Sequence, residues 1–144
     1  MKLSTRTRYG IRAVVELAEH YGREPVQLKI ISKDQEISMK YLEQIMSVLK
    51  SSGIVGSSRG AKGGYFLAKP PNQVKLSECF NCLEGPVVTV ECVENDRYCS
   101  KTSNCVAREV WTEVEKAIVA VLDSITLQDM VDKNKKSKPL LYQI

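Results

Sequence analysis

A chain of 144 residues, 43% apolar and 26% charged, suits one compact domain or a small domain with an oligomerising helix, and its composition is that of a globular rather than a disordered protein. The longest apolar run, Ala117 to Leu122, is far short of the roughly 18 residues a membrane span needs. The net charge of +4 is uneven: residues 1–75 hold 13 Lys and Arg against 6 Asp and Glu, whereas residues 76–144 hold 8 against 11, which suggests a polyanion-binding lobe joined to a mildly acidic one.

Residues 5–21 read as an amphipathic helix with Ile11, Val14, Val15, Leu17 and Ala18 on one face, ended by Gly22 and Pro25. A second helix is expected from about Leu28 to Asp34. After the tight connection Gln35-Glu36-Ile37, Ser38 stands as N-cap of a third helix, Met39 to Ser51, which buries Leu42, Ile45, Met46 and Leu49 and stops at Gly53. Two such helices on a three- or four-residue turn form a helix-turn-helix pattern. Ile54-Val55 and Gly64 to Leu67 flank the loop Ser57 to Gly63, whose glycines and two cations suit a β-hairpin wing. A phosphate-binding P-loop would instead open a helix after Gly-Lys-Ser/Thr, whereas Gly63-Gly64-Tyr65-Phe66 leads into a strand-like run.

Pro70-Pro71 closes this lobe, and a helix from Leu76 to Leu83 ends at Gly85-Pro86. Residues 87–103 lack periodicity and read as a long loop. From about Asn104 to Ile125, the residues Ala107, Trp111, Val114, Ile118, Val121 and Ile125 make an apolar seam at steps of three and four, which demands a partner surface. The lobe before it is too small to cover a helix of roughly 30 Å, so a two-fold homodimer is expected. Thr126 and Asp129 form a capping-box pattern for a final helix, with Lys133 to Lys138 as a basic, frayed tail. The expected organisation is a DNA-binding domain over 1–75, a linker helix and cysteine-bearing loop over 76–105, and a dimerisation helix with tail over 106–144. The fold class is mostly α with a small β wing.

Met1-Lys2-Leu3-Ser4, Arg8-Tyr9-Gly10, Ile37-Ser38, Tyr41-Leu42-Glu43-Gln44 and Arg59-Gly60-x-x-Gly63-Gly64-Tyr65, together with the cysteine loop, closely resemble the winged helix-turn-helix family of the iron–sulfur regulator IscR. The nitric-oxide sensor NsrR and the cysteine-metabolism regulator CymR belong to the same family. The resemblance implies a cytoplasmic, homodimeric regulator that binds double-stranded DNA at a near-palindromic operator and acts chiefly as a repressor. It places Ser38, Lys40, Tyr41, Glu43 and Gln44 on a recognition helix and Arg59 on the wing, beside Gly60. Physical chemistry agrees, because a major groove admits a helix carrying Glu or Gln, and Arg suits a narrow minor groove. Lys2, Arg6, Arg8, Lys40 and Lys62 would neutralise phosphates. Tyr41 borders the apolar face and can serve the core instead. Ala61 stands where the family often has proline.

Five cysteines in a reducing cytosol point to metal, cluster or redox chemistry before structural disulfides. The resemblance implies an iron–sulfur cluster on Cys92, Cys99 and Cys105, 2Fe–2S in preference to 4Fe–4S, and anionic sulfur ligands suit it. Its fourth ligand is open among a carboxylate, a solvent molecule, an arginine nitrogen and a small thiol, because Arg108 occupies the position of the IscR histidine, and Arg8 that of the NsrR aspartate. His20, the single histidine, lies near the end of the first helix. Zinc, a thiol–disulfide switch between Cys99 and Cys105, and a cofactor-free regulator are the competing readings. Cys79 and Cys82, one helical turn apart, read more simply as small buried hydrophobes. With one histidine, no nucleophile–base motif and no nucleotide fingerprint, an enzyme is disfavoured.

Overall fold

The structure, a computed structural model, describes residues 1–138; the end of the expected C-terminal tail, 139–144, lies outside the described residues. α1 (Thr5–Glu19) begins where Ser4 Oγ accepts from the Thr7 N–H at 3.1 Å. It runs to α2 (Leu28–Gln35), which ends at Glu36 in the left-handed region at φ 56°. Ser38 then caps α3 (Met39–Ser51), its Oγ accepting from the Tyr41 N–H at 3.2 Å. Leu42, Ile45, Met46 and Leu49 are fully buried, and each of these side chains contributes about 2 kcal/mol of transfer free energy.

β1 (Val55–Ser58) and β2 (Gly64–Leu67) form an antiparallel hairpin with Val55 opposite Leu67 and Ser58 opposite Gly64. The hairpin is stitched to the helices by paired bonds between Val26 and Tyr65, each 2.8 Å from N to O. Gly64 allows this approach, because a Cβ there would lie 2.4 Å from the Val26 carbonyl oxygen. α4 (Leu76–Leu83) crosses α1 at Gly10, where a Cβ would meet Leu83 at 2.6 Å.

The segment expected to be a featureless loop contains a single helical turn, α5 (Glu91–Glu94), and a 3-10 turn at Thr102–Asn104. α6 (Val106–Ser124) follows, and α7 (Leu127–Ser137) turns back onto α1. The predicted capping box is present: Thr126 Oγ1 accepts from the Asp129 N–H at 3.1 Å, and the Asp129 carboxylate accepts from the Thr126 N–H at 2.9 Å. Lys133 to Ser137 is therefore helix rather than a frayed tail, because the box secures the start and Leu127 and Val131 anchor it in the core shared by α1 and α3. Two bonds, from Leu76 N to Ile125 O at 2.8 Å and from Leu127 N to Val74 O at 2.9 Å, tie the α6–α7 corner to the start of α4.

α6, the longest helix among the described residues, has no buried residue. Trp111 is 43% exposed, Val114 41% and Val121 57%, whereas Ile118 and Ile125 are half-buried, so much of the apolar seam has no cover among the described residues. Among the described residues no helix is long and apolar enough to cross a membrane.

Candidate nucleic-acid interface and cysteine loop

Because α3 buries one face, its periodicity turns the opposite residues outward: Lys40, Glu43 and Gln44 are exposed, as is the capping Ser38. Tyr41 is half-buried, with its ring edge-on to Tyr9 at a centroid distance of 6.1 Å. It serves the packing between α1 and α3 while also lining a shallow hollow of about 410 Å³ with Ser4, Arg6 and Gln44. This hollow brings the start of α1 beside the outer face of α3.

The wing is held to that helix by the Lys50 ammonium, which donates to Ser57 Oγ at 2.6 Å. Its tip carries exposed Arg59, Gly60 and Lys62. Gln27 Nε2 donates to the Ala61 carbonyl at 3.4 Å, and Lys62 lies 3.7 Å from the exposed Glu24 carboxylate. An exposed pair of this kind is worth little, so Lys62 remains available to a phosphate.

The N-terminal cations are exposed but not equivalent. Lys2 precedes the helix, and the Arg8 guanidinium sits 5.9 Å from the Tyr9 ring centre. Arg6 Nε donates to the Leu83 carbonyl at 2.9 Å, so Arg6 also closes the end of α4. The α1 start is further anchored by Glu84, whose carboxylate accepts from Ser4 Oγ at 2.6 Å and from the Thr7 hydroxyl. The Ser4 hydroxyl first, and then Thr7, hold the Glu84 carboxyl below the usual range. Arg12, not singled out in the sequence, bonds the side chain and carbonyl of Gln35 and lies 5.6 Å from the Tyr9 ring centre.

Cys92 is half-buried in α5, Cys99 is exposed in the following turn, and Cys105 is half-buried as N-cap of α6. Among the described residues no group of three or more His, Cys, Asp and Glu side chains is gathered so as to hold a metal ion. The three thiols thus belong to one loop without converging. Arg108 pins that loop. Its Nε donates to the Cys92 carbonyl at 2.7 Å, a terminal nitrogen meets the Asp96 carboxylate, and the Asp96 carbonyl accepts from Thr102 Oγ1 at 2.8 Å. In the sequence Arg108 stands simply at the histidine's position; its clamp depends on residues brought together by the fold. The Glu91 carboxylate, as hydrogen-bond partner of the Tyr98 phenol, raises the phenol above its usual range.

The remaining candidates are structural. Burial pushes the Cys79 thiol up to about 12, which leaves it an inert core group. Cys82, expected to be buried, is only half-buried, because it faces the end of α3, where its Sγ donates to Ser52 Oγ at 3.0 Å. His20 caps α1, with Nδ1 2.9 Å from the Glu16 carbonyl oxygen.

Comparison with known proteins gives consistent matches. The family described as Rrf2, iron-dependent transcriptional regulator, matches residues 3–133. The transcriptional regulator CymR of Bacillus subtilis (strain 168) is 39% identical over 130 residues, covering 90% of this chain and 89% of that protein. Among solved structures, T. potens IscR aligns with a TM-score of 0.79 at 38% identity, over 99% of this chain and 96% of its own. The structure of CymR (YrzC), described as the global cysteine regulator of B. subtilis, also gives 0.79 at 38% identity, over 92% and 98% respectively.

Proposed function

This chain belongs to the Rrf2 family of transcriptional regulators, and from that premise we propose that it is a homodimeric repressor whose α3 reads the major groove while the 87–105 loop senses iron–sulfur or redox status. The observation that carries the DNA reading is the outward row of Lys40, Glu43 and Gln44 on α3, braced against the wing by Lys50 and Ser57. Glu43 and Gln44 address base edges, and Arg59 enters the neighbouring minor groove. Ser38 and Tyr41 border the recognition surface, with Tyr41 also held in the α1–α3 packing. Lys2, Arg6, Arg8, Lys40 and Lys62 bind phosphates, with Gly60 keeping the wing tip slender. In this reading residues 1–75 bind DNA, 76–105 sense, and 106–144 supply the dimerisation helix α6 together with α7, which returns to the core beside α1. In the dimer, the exposed Trp111, Val114 and Val121 of one α6 meet their counterparts.

In this reading Cys92, Cys99 and Cys105 ligate an iron–sulfur cluster, which would supply an oxidant- and iron-sensitive crosslink. The thiols do not converge, so ligation requires the loop to rearrange, and the Arg108 clamp on Cys92 and Asp96 is the contact that must yield. The exposure of Cys99 favours a second reading, a thiol switch. A Cys99–Cys105 disulfide would release two protons and pass two electrons to a peroxide-class oxidant, which is reduced to water or alcohol. The similarity to CymR, described as a global cysteine regulator, supports a cluster-free regulator on the same fold.

Band shifts and footprints on promoter DNA, with salt dependence measured, test the DNA reading; weak binding with no preferred sequence would defeat it. Anaerobic purification with absorption spectra and iron analysis separates the two sensors. Colour that is lost in Cys92→Ala supports the cluster, whereas a colourless, iron-free chain that loses two thiols on peroxide treatment supports the switch.

A further inference from the structure

Neither the DNA face nor the cysteine loop uses the buried carboxylate of Glu16. It lies in α1 at 5% exposure and lines an open cleft of about 640 Å³ between α1 and α7. One of its oxygens, Oε2, accepts from Gln35 Nε2 at 2.8 Å. The other, Oε1, is buried without a hydrogen-bond partner among the described residues. Buried polar atoms are normally paired, and a carboxylate oxygen left without a donor is costly. Burial raises the Glu16 carboxyl above its ordinary range, Asp34 adds to this, and the Gln35 donation and His20 oppose it.

The neighbouring charged side chains do not relieve this oxygen. Arg12 is committed to Gln35, and Glu19 accepts from Asn134 Nδ2 at 2.5 Å. The rest of the cleft is mainly aliphatic, with Ile11 and Val15 on α1, Met130 of α7 and Ile125 at the α6–α7 corner, and Lys133 and Ser137 as its further polar lining. Ile11 and Val15 belong to the apolar face of α1 read from the sequence, yet they are only partly buried because the cleft runs over them. A cavity of this size with an apolar wall and one unsatisfied acceptor has the form of a small-molecule site.

We infer that the cleft binds a small aliphatic amine, its ammonium donating to Glu16 Oε1 and its alkyl chain lying against Ile11, Val15 and Met130. The ammonium neutralises the buried carboxylate and supplies the absent donor, and charge-assisted hydrogen bonds are the strong ones. A carboxylate ligand would meet Glu16 as a like charge, and a neutral alcohol would donate without compensating it. Gln35 is the last residue of α2, one before the left-handed Glu36, so an occupant touches the foot of the helix-turn-helix.

The test uses the full chain with 13C-labelled methionine and isoleucine methyls, titrated with n-pentylamine, 1-pentanol and pentanoate at neutral pH. Saturable shifts of the Met130, Ile11 and Ile125 methyls with pentylamine are expected. Pentanol and pentanoate are expected to bind at least about tenfold more weakly, the factor that corresponds to a charged hydrogen bond worth roughly 1.5 kcal/mol or more. Glu16→Gln preserves an acceptor for Gln35 and is expected to remove that preference. Shifts of equal size for the alcohol or the acid, or no shifts at these methyls, would overturn the inference. Should Glu16→Gln fail to fold, the ranking of the three probes on the unaltered chain decides alone. Neither readout involves DNA or the cysteines.

Discussion

Arg108 Nε donates to the carbonyl oxygen of Cys92 across 2.7 Å, which fastens the first turns of the long helix to the loop that carries the thiols. The same guanidinium holds Asp96, and Arg108 is mostly shielded while Asp96 is open to solvent. The pair thus acts as a latch whose shielded half belongs to α6 and whose exposed half belongs to the loop. Arg108→Ala is expected to leave the winged domain folded, because neither partner touches its core. It should raise the labelling rates of Cys92, Cys99 and Cys105 by about tenfold or more, in line with the roughly 1.5–3 kcal/mol of a hydrogen bond to a charged group. Time-resolved alkylation followed by mass spectrometry reads this directly; unchanged rates would show that the latch restrains nothing.

At the wing, Arg59→Ala removes an exposed guanidinium with no partner among the described residues, so thermal stability should stay within about 0.5 kcal/mol of the parent chain. Specific operator affinity should fall by about 1–3 kcal/mol, roughly 5- to 150-fold, with sequence preference relaxed at the position it contacts. Lys62→Ala is expected to behave differently, weakening binding to all duplexes alike and lowering the salt slope by about one. Titrations of the two variants over a range of salt distinguish base-reading from charge neutralisation.

Glu36 stops α2 in the left-handed conformation at φ 56° and ψ 47°, a position that glycine occupies without a Cβ penalty. Glu36→Gly should therefore stabilise the chain by about 1 kcal/mol, offset in part by greater freedom of the unfolded chain. The measurement is chemical denaturation; destabilisation would mean that the exposed carboxylate contributes more than its backbone costs.

Much of this architecture is legible in residue order. Ser38, Thr126 and the three-and-four spacing of Leu42, Ile45, Met46 and Leu49 act locally, and local chemistry is what a sequence displays. The glycines of the wing tip are legible for the same reason. The clamp of Arg108 on Cys92 and Asp96 is not, since it joins positions twelve to sixteen residues apart through a loop without periodicity. Nor is the cleft beside Glu16, which exists only because α7 returns to α1. The double duty of Arg6 has the same origin: a cation at a helix start reads as a phosphate contact until Leu83 is brought beneath it.

The acid response of the α1–α4 junction follows from Glu84. The hydrogen bonds from Ser4 and Thr7 hold its folded carboxyl below the ordinary carboxylate range, so its favourable contribution is present above that range and is lost as pH falls through the lower folded value. Glu84→Gln should lower stability at neutral pH, and the gap from the parent chain should close progressively below about pH 4.5. Denaturation midpoints measured from pH 7 down to pH 3 check the sign; a gap that widened in acid would contradict the hydrogen bonds from Ser4 and Thr7.

The apolar seam of α6 gives the sharpest prediction about assembly. Val114 and Val121 are exposed in the single chain, so charging them removes nothing from its own core. Val114→Asp combined with Val121→Asp should thus yield a folded monomer with unaltered helix content, because carboxylates at both positions would have to be desolvated in a dimer. Operator affinity should collapse with it, since two half-sites engaged by linked lobes gain from effective concentration and single lobes do not. Sedimentation velocity on the parent and the double variant supplies the measurement. A double variant that still sediments as a dimer would place the interface elsewhere and leave the exposed Trp111 without its partner.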